Sequence, residues 1–230
     1  MRCLMRGGSG VSNLLIVESH NDKYFLEALI RYLNLANVEV GSPVCNIDEF
    51  ECLKGISRLK QRLKEIGYTI EKGPIAKLGI ILDADKVGID GRVKLIDDSL
   101  KEICSDVSLH STNTLVKSVE LEVEIACHIM NVDGFGELET LLKRIKSKPS
   151  ICADCLDSWR ECLDGEGKII DNKFFDKFWI DIYQRYDICK MNESNADKNC
   201  RGEISMKKDI WDFEHPQLKG LKEFLQLFRD

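Results

Sequence analysis

IAKLGIILDAD, residues 75–85, is a continuous apolar run stopped by two aspartates. A short, nearly unbroken apolar run bounded by polar residues is the pattern of a strand buried on both faces, as in a parallel sheet. Upstream, LLIVESHNDKYFLEALI (residues 14–30) repeats the theme: a strand over 14–17 ends on Glu18 and turns through Ser-His-Asn-Asp. Phe25, Leu26, Leu29, Ile30 and Leu33 then recur at helical spacing, which predicts a helix over 22–34.

The remaining pattern extends the alternation. VEVGSPVC (38–45) is a strand broken by Gly41 and Pro43. Residues 48–66 read as a helix with Leu53, Ile56, Leu59, Leu63 and Ile66 on one face. Arg58, Lys60, Arg62 and Lys64 are interleaved, and Gly67 is the expected terminator. A helix over 91–104, an edge strand near 107–112, a strand over 121–130 and a helix over 136–146 follow. Strands alternating with helices predict an α/β fold with a mainly parallel sheet flanked by helices. From Pro149 the pattern is helical, over 149–163, 172–189 and 216–228, around a polar loop at 190–205. The expected organisation is a disordered leader (1–12), an α/β core (13–148) and a helical C-terminal extension (149–230) packed on that core.

Bulk properties narrow the function classes. The 230 residues are 43% hydrophobic and 31% charged, as in an ordinary globular protein. No apolar stretch reaches membrane-spanning length, so no membrane partner is expected. A net charge of −6 argues against non-specific nucleic-acid binding by a generally basic surface. The ten cysteines, with no secretion signal, are expected to be reduced thiols in a cytoplasmic protein.

The acids carry the chemistry. In parallel α/β sheets ligands bind beyond the C-terminal ends of the strands. Glu18 follows the first strand; Asp83 and Asp85 follow the third. If the extended backbone persists through Asp83-Ala84-Asp85, both carboxylates point the same way. Like charges so close need an offset, and a hard divalent cation such as Mg²⁺, bound through a few carboxylates and waters, supplies it.

These residues resemble the Toprim superfamily. VESHND, with Glu18 and Asp22, is similar to its first motif, a glutamate after a strand followed by Gly-x-x-Asp, with Ser19 in the glycine position. LDADKVG, with Asp83 and Asp85, is similar to its Asp-x-Asp motif. The likeness covers roughly 13–145. The tail, with Gly136-Glu137-Leu138-Glu139, Lys177 in DKFWIDIYQRY, and DFEHPQLKGLKEFLQLF (212–228), resembles small stand-alone Toprim proteins and the overcoming-lysogenization-defect nucleases. The resemblance implies a Toprim-like core and a nuclease, in keeping with a phage-defence effector. It implies Mg²⁺ or Mn²⁺ held by Glu18, Asp22, Asp83, Asp85 and Glu139, with Glu18, Asp83, Asp85 and Lys177 catalytic. Lys177 would contact phosphate or the transition state. Read as residues alone, Glu139 is equally a first-turn helix acid and Lys177 a solvated helix residue. The substrate would be DNA or RNA, and the family allows a regulatory partner such as an ATPase.

Two other readings stand beside it. ILDADKVG also fits a haloacid-dehalogenase-like phosphatase with Asp83 as nucleophile and Asp85 as acid/base, although that motif normally opens its domain. A non-catalytic Toprim module that binds metal or a partner is the third. None of Tyr24, Tyr32, Tyr183 and Tyr186 lies in a nucleophilic context, so water is the expected attacking group. Cys152 and Cys155, with Cys189 and Cys200, have zinc-like spacing; Cys152, Cys155, Leu156, Trp159 and Leu163 also form one apolar helical face, and packing is the favoured reading. His20 lies in the Glu18 loop, His128 reads as a satisfied core residue, and Lys143 to Lys148 form the best basic patch.

Overall fold

The computed structural model describes residues 12–44, 55–70, 75–189, 200 and 202–229. Its centre is a five-stranded sheet in the order β2-β1-β3-β5-β4. Strands β1 (Ser12–Ile16), β2 (Val38–Val40), β3 (Ile75–Asp83) and β5 (Val123–Met130) are parallel; only β4 (Val116–Ser118) runs antiparallel, against β5. The long apolar runs occupy the middle. Leu78, Ile80, Ile81, Ile125, Ala126 and Cys127 are buried because helices cover both faces. The protein is thus an α/β fold with a mostly parallel sheet, flanking helices and C-terminal helices.

One face is covered by α2 (Gly55–Ile70) and α3 (Gly88–Leu100), whose Leu59, Leu63, Ile66, Val93 and Ile96 pack with Ile16, Leu78, Ile80 and Ile129. The other face is covered by α1 (His20–Tyr32), α4 (Leu138–Arg144) and the C-terminal elements. These are α5 (Ile151–Gly165), α6 (Asn172–Ile182) running into a π-helical turn (Tyr183–Ile188), α7 (Gly202–Met206), and a 3₁₀ turn (Pro216–Leu218) leading into α8 (Lys219–Gln226). The last helix is pressed onto β3 at Gly79. A Cβ there would collide with Leu15 and come within 2.8 Å of Phe228 Cζ and 3.0 Å of Phe224 Cζ. Asn13 Nδ2 donates to Phe228 O at 2.8 Å and Lys77 Nζ to Leu227 O at 2.8 Å, so the chain end is tied to the sheet by polar contacts too. Among the described residues no helix is long and apolar enough to cross a membrane.

Several expectations are corrected. Helix α2 runs through Gly67 to Ile70 rather than stopping there. The edge strand lies at Val116–Ser118, not 107–112. Val107 and Leu109 are buried without pairing, because Asp97 and Asp106 tie the loop down: Leu109 N donates to Asp97 Oδ1 at 2.8 Å and Ser118 Oγ to Asp106 Oδ1 at 2.9 Å. The apolar face drawn on α5 lies mostly at the surface. Only Ala153 of that helix is buried, and Trp159, 43% exposed, packs edgewise on Phe178 with ring centroids 5.6 Å apart. Cys189 and Cys200 are joined as a disulfide rather than reduced, their Cα atoms 6.3 Å apart, a separation such a bond accepts. Cys152 and Cys155 are exposed on α5 and share no site with that pair. Residues 1–11 of the expected leader, Leu53 and most of the 190–205 loop lie outside the described residues; Ser12 opens β1, and the end of that loop belongs to the helix Gly202–Met206.

Candidate metal centre

The C-terminal ends of β1 and β3 and the loop after β5 meet at one edge of the sheet. Glu18 stands two residues past β1. Ser19 follows it as the N-cap of α1, with φ −127° and ψ 170°. That is ordinary extended backbone, so a serine fits where the resembled motif has glycine. Ser19 also closes a capping box with Asp22: Asp22 N donates to Ser19 Oγ at 3.3 Å and Ser19 N to Asp22 Oδ2 at 2.7 Å. This pins Asp22, which is 1% exposed, with Oδ2 occupied and Oδ1 facing inward without a partner.

Asp83 is the last residue of β3 and is buried. Its Oδ1, like Glu18 Oε2 and Asp22 Oδ1, is shut off from solvent and accepts no hydrogen bond. Buried carboxylate oxygens without donors are costly, and three at one sheet edge require a common cause. The acids feel one another. Burial pushes the Asp22 carboxyl up to about 8, with the neighbouring Glu18 charge adding to it. Burial likewise lifts Asp83 well above the ordinary range, reinforced by Asp22, Glu18, Glu139 and Glu137. Burial raises Glu18 too, opposed by Arg92 and by a hydrogen bond from the Asp83 backbone amide.

Asp85 departs from the expected geometry. Its φ of +48° is left-handed, so the extended backbone does not persist and the two aspartates do not project alike. A two-way bridge holds it there: Asp85 N donates to Gly136 O at 2.8 Å and Gly136 N to Asp85 O at 3.1 Å. Gly136 itself has φ +89°, and a Cβ there would lie 3.0 Å from Thr140 Oγ1, so glycine is required. The bridge also delivers the next residues, Glu137 as N-cap of α4 and Glu139 in its first turn, both buried, to the same edge.

Cations face the acids from two helices. Arg92 of α3 pairs with Asp85 Oδ2. Lys173, one residue into α6, places Nζ 3.0 Å from Asp85 Oδ1 and 3.1 Å from Glu137 Oε2. Burial works against the Lys173 ammonium, but Glu137 and Asp85 outweigh it and hold it above the usual lysine range. Lys177, the expected phosphate contact, lies 3.8 Å from Glu137 Oε2 and is less exposed than Lys173, 22% against 40%. Burial raises Glu137 to about 7 against the pull of Lys173.

Arg92, Lys173 and Glu137 were not singled out from sequence as members of this cluster. Glu137 was visible beside Glu139, and Lys173 stands one helical turn before Lys177; Arg92 carried no signal beyond lying in the helix after the Asp-x-Asp segment. The basic run proves to be paired: Lys143 with Asp176 at 3.6 Å, Arg144 with Asp133 at 3.6 Å and Lys148 with Asp209 at 2.9 Å. His128 is a buried core residue, its Nδ1 2.8 Å from Asn113 Oδ1 and its ring pushed down to about 4 by burial. His20 is exposed. The Tyr183 hydroxyl is bound to Ile210 O at 3.2 Å in the core.

The donor set is all oxygen, buried and partly unsatisfied, which suits Mg²⁺ or Mn²⁺ rather than a soft metal. Among the described residues no three such ligands already stand in a geometry that could hold an ion. The acids are near enough for each to feel a neighbour's charge, and holding an ion would require their side chains to rotate.

The raised values set the pH response of the cation-free protein. Asp22, about 8 against an ordinary 3.8, and Glu137, about 7 against 4.5, keep protons that the unfolded chain has lost. The folded state binds more protons, so these groups' contribution is full below about pH 4 and is lost as pH rises past about 8. Thermal melts in a chelator are expected to give a higher Tm at about pH 5.5 than at about pH 8.5. The reverse order would contradict the assignment.

No curated protein matches the chain, and neither does any solved structure. A family model described as "Protein of unknown function (DUF3226)" matches residues 12–230, and the chain belongs to that family.

Proposed function

We propose that the protein is a divalent-metal-dependent nuclease of Toprim type that hydrolyses phosphodiester bonds in DNA or RNA. The observation that carries this reading is the set of buried, unpartnered oxygens on Glu18, Asp22 and Asp83, with the Asp22 and Asp83 carboxyls pushed up by burial and by neighbouring acids. Glu18, Asp22 and Asp83 would hold Mg²⁺ or Mn²⁺, with Glu139 beside them and Asp85 completing the rim. A bound divalent ion supplies charge neutralisation of the phosphodiester and a more acidic water at neutral pH.

The chain's own residues define the rest. Arg92 and Lys173 hold the Asp85 carboxylate in place, and Lys173 restrains Glu137. Lys173 and Lys177, both within 4 Å of Glu137 Oε2, are the lysines that would meet an incoming phosphate. Glu18 accepts the Asp83 amide hydrogen bond, which orients one oxygen and leaves the other for a cation or an attacking water. The phosphatase alternative would use Asp83 as nucleophile and Asp85 as acid/base; against it, the Asp-x-Asp segment follows the third strand instead of opening the domain, and Asp85 is engaged by Arg92 and Lys173. A cytoplasmic site of action and control by a partner such as an ATPase belong to the same proposal, as does a role in phage defence.

The test is cleavage of single- and double-stranded DNA and RNA by purified protein in Mg²⁺ or Mn²⁺, beside Asp83→Asn. The substitution is expected to lower the rate at least about a hundredfold, several kcal/mol of transition-state stabilisation. Equal cutting by both proteins removes the assignment. Metal binding without cleavage of any of the four substrates marks a non-catalytic module instead.

A further inference from the structure

Between the segment that follows β2 and helix α2 lies a cavity of about 260 Å³. Ser42, Pro43 and Val44 form one wall; Arg58, Arg62 and Glu65 form the other. It lies past the C-terminal end of β2, where the chain is tied back to the end of β1. Val44 N donates to Val17 O at 2.9 Å, and Val17 is the residue before Glu18.

Helix α2 divides its basic residues between two directions. Lys60 and Lys64 turn toward α3, where both reach Glu102, at 2.9 and 3.4 Å. Arg58 and Arg62 turn into the cavity. Arg62 gives Nη1 to Glu65 at 3.1 Å, while its Nε is buried with no acceptor. Glu65 also accepts from Gln61 Nε2 at 3.3 Å, and its exposed carboxylate sits at the rim. Arg58 is half-buried and has no ion pair among the described residues. Two arginines against one carboxylate leave the cavity positive on a protein of net charge −6.

A buried guanidinium N–H without an acceptor is an expensive group, and its natural complement is an oxyanion. The volume falls below the usual range of small-molecule pockets, which suits a phosphate group more than a whole nucleotide. Arginine's fork matches tetrahedral phosphate oxygens better than lysine would. We infer that this cavity binds a phosphate group and, resting on the nuclease reading, that this is a further backbone phosphate of the nucleic-acid strand cut at the acids. A strand presents phosphates at regular intervals, so a second phosphate site fixes its direction across the protein.

The experiment measures fluorescence anisotropy of a labelled single-stranded DNA oligonucleotide, with inorganic phosphate as competitor. It compares wild type, Arg58→Gln alone and Arg58→Gln/Arg62→Gln, with Mn²⁺ titrations of each protein as control. The double variant is expected to bind the oligonucleotide about tenfold or more weakly with a shallower salt dependence, while Mn²⁺ affinity is unchanged. Arg58→Gln, which touches no ion pair, gives part of that loss in a protein whose melting is unaltered. Unchanged oligonucleotide affinity in both variants overturns the inference. If wild type binds neither this oligonucleotide nor its RNA counterpart but binds inorganic phosphate in an Arg58-dependent way, the phosphate site stands and the nuclease reading falls. Binding of neither probe overturns the site itself.

Discussion

Asp83→Asn is expected to make the metal-free protein more stable while abolishing its response to divalent cations. The side chain is buried, one oxygen has no donor, and four neighbouring acids disfavour its charge. Asparagine keeps the shape, removes the charge and carries an amide that the surrounding carboxylates can accept from. Relief of one unsatisfied buried acceptor is worth about 1–3 kcal/mol, which for a chain of this size is a rise in Tm on the order of 3–10 °C. Wild type should gain stability on addition of millimolar Mn²⁺, by the logarithm of its saturation, and the variant should gain almost none. Both halves are read by thermal melts with chelator and with Mn²⁺. A variant less stable than wild type in chelator, or one still stabilised by Mn²⁺, would show that Asp83 is a structural acid.

Trp179→Ala is expected to be the most damaging single change outside the acid cluster. Trp179 is 0% exposed and stacks on Tyr183, with centroids 5.5 Å apart and planes 21° from parallel. The Lys143 ammonium lies 5.1 Å from its ring centroid, and Trp179 belongs to the same buried cluster as Phe175, Leu142 and Phe224. Truncation leaves a large cavity and costs about 3–5 kcal/mol, a substantial share of a marginal total. Because Trp179 seats the helix that carries Lys173, the loss should also reach the centre: Trp179→Ala, at a temperature where it is still folded, should bind Mn²⁺ with altered affinity. Trp179→Phe, which keeps the stacking, should recover most of the stability. Urea unfolding of the three proteins checks this, and a cost below about 1 kcal/mol for alanine would contradict the packing account.

The sheet was readable because its central strands are buried on both sides. Leu14 to Val17, the run ending at Asp83, and Val123 to Met130 are mostly apolar stretches, the pattern a parallel strand between two helical layers requires. The edges were harder. Val107 and Leu109 alternate like a strand yet are buried by a loop that Asp97 and Asp106 organise, a long-range effect with no local signal. Helix α5 shows the converse. Its apolar spacing is helical, but the face is left at the surface, since periodicity says which residues share a side and nothing of what covers them.

At the centre, Glu18, Asp22 and Asp83 were legible as acids at strand ends. The split between Asp83 and Asp85 was not, because it depends on a left-handed turn at a non-glycine residue locked by Gly136 from another strand's loop. Lys173 and Arg92 come from elements whose packing against that edge is a tertiary outcome.

We propose that Glu18, Asp22 and Asp83 together hold a divalent cation. Calorimetric titration of the wild-type protein with Mn²⁺, run near neutral pH in two buffers of different ionisation enthalpy, addresses it directly. Saturable binding is predicted, with an apparent enthalpy that differs between buffers because Asp22 and Asp83 give up protons as the ion enters. Absence of saturable heat, or binding with the same enthalpy in both buffers, would contradict it.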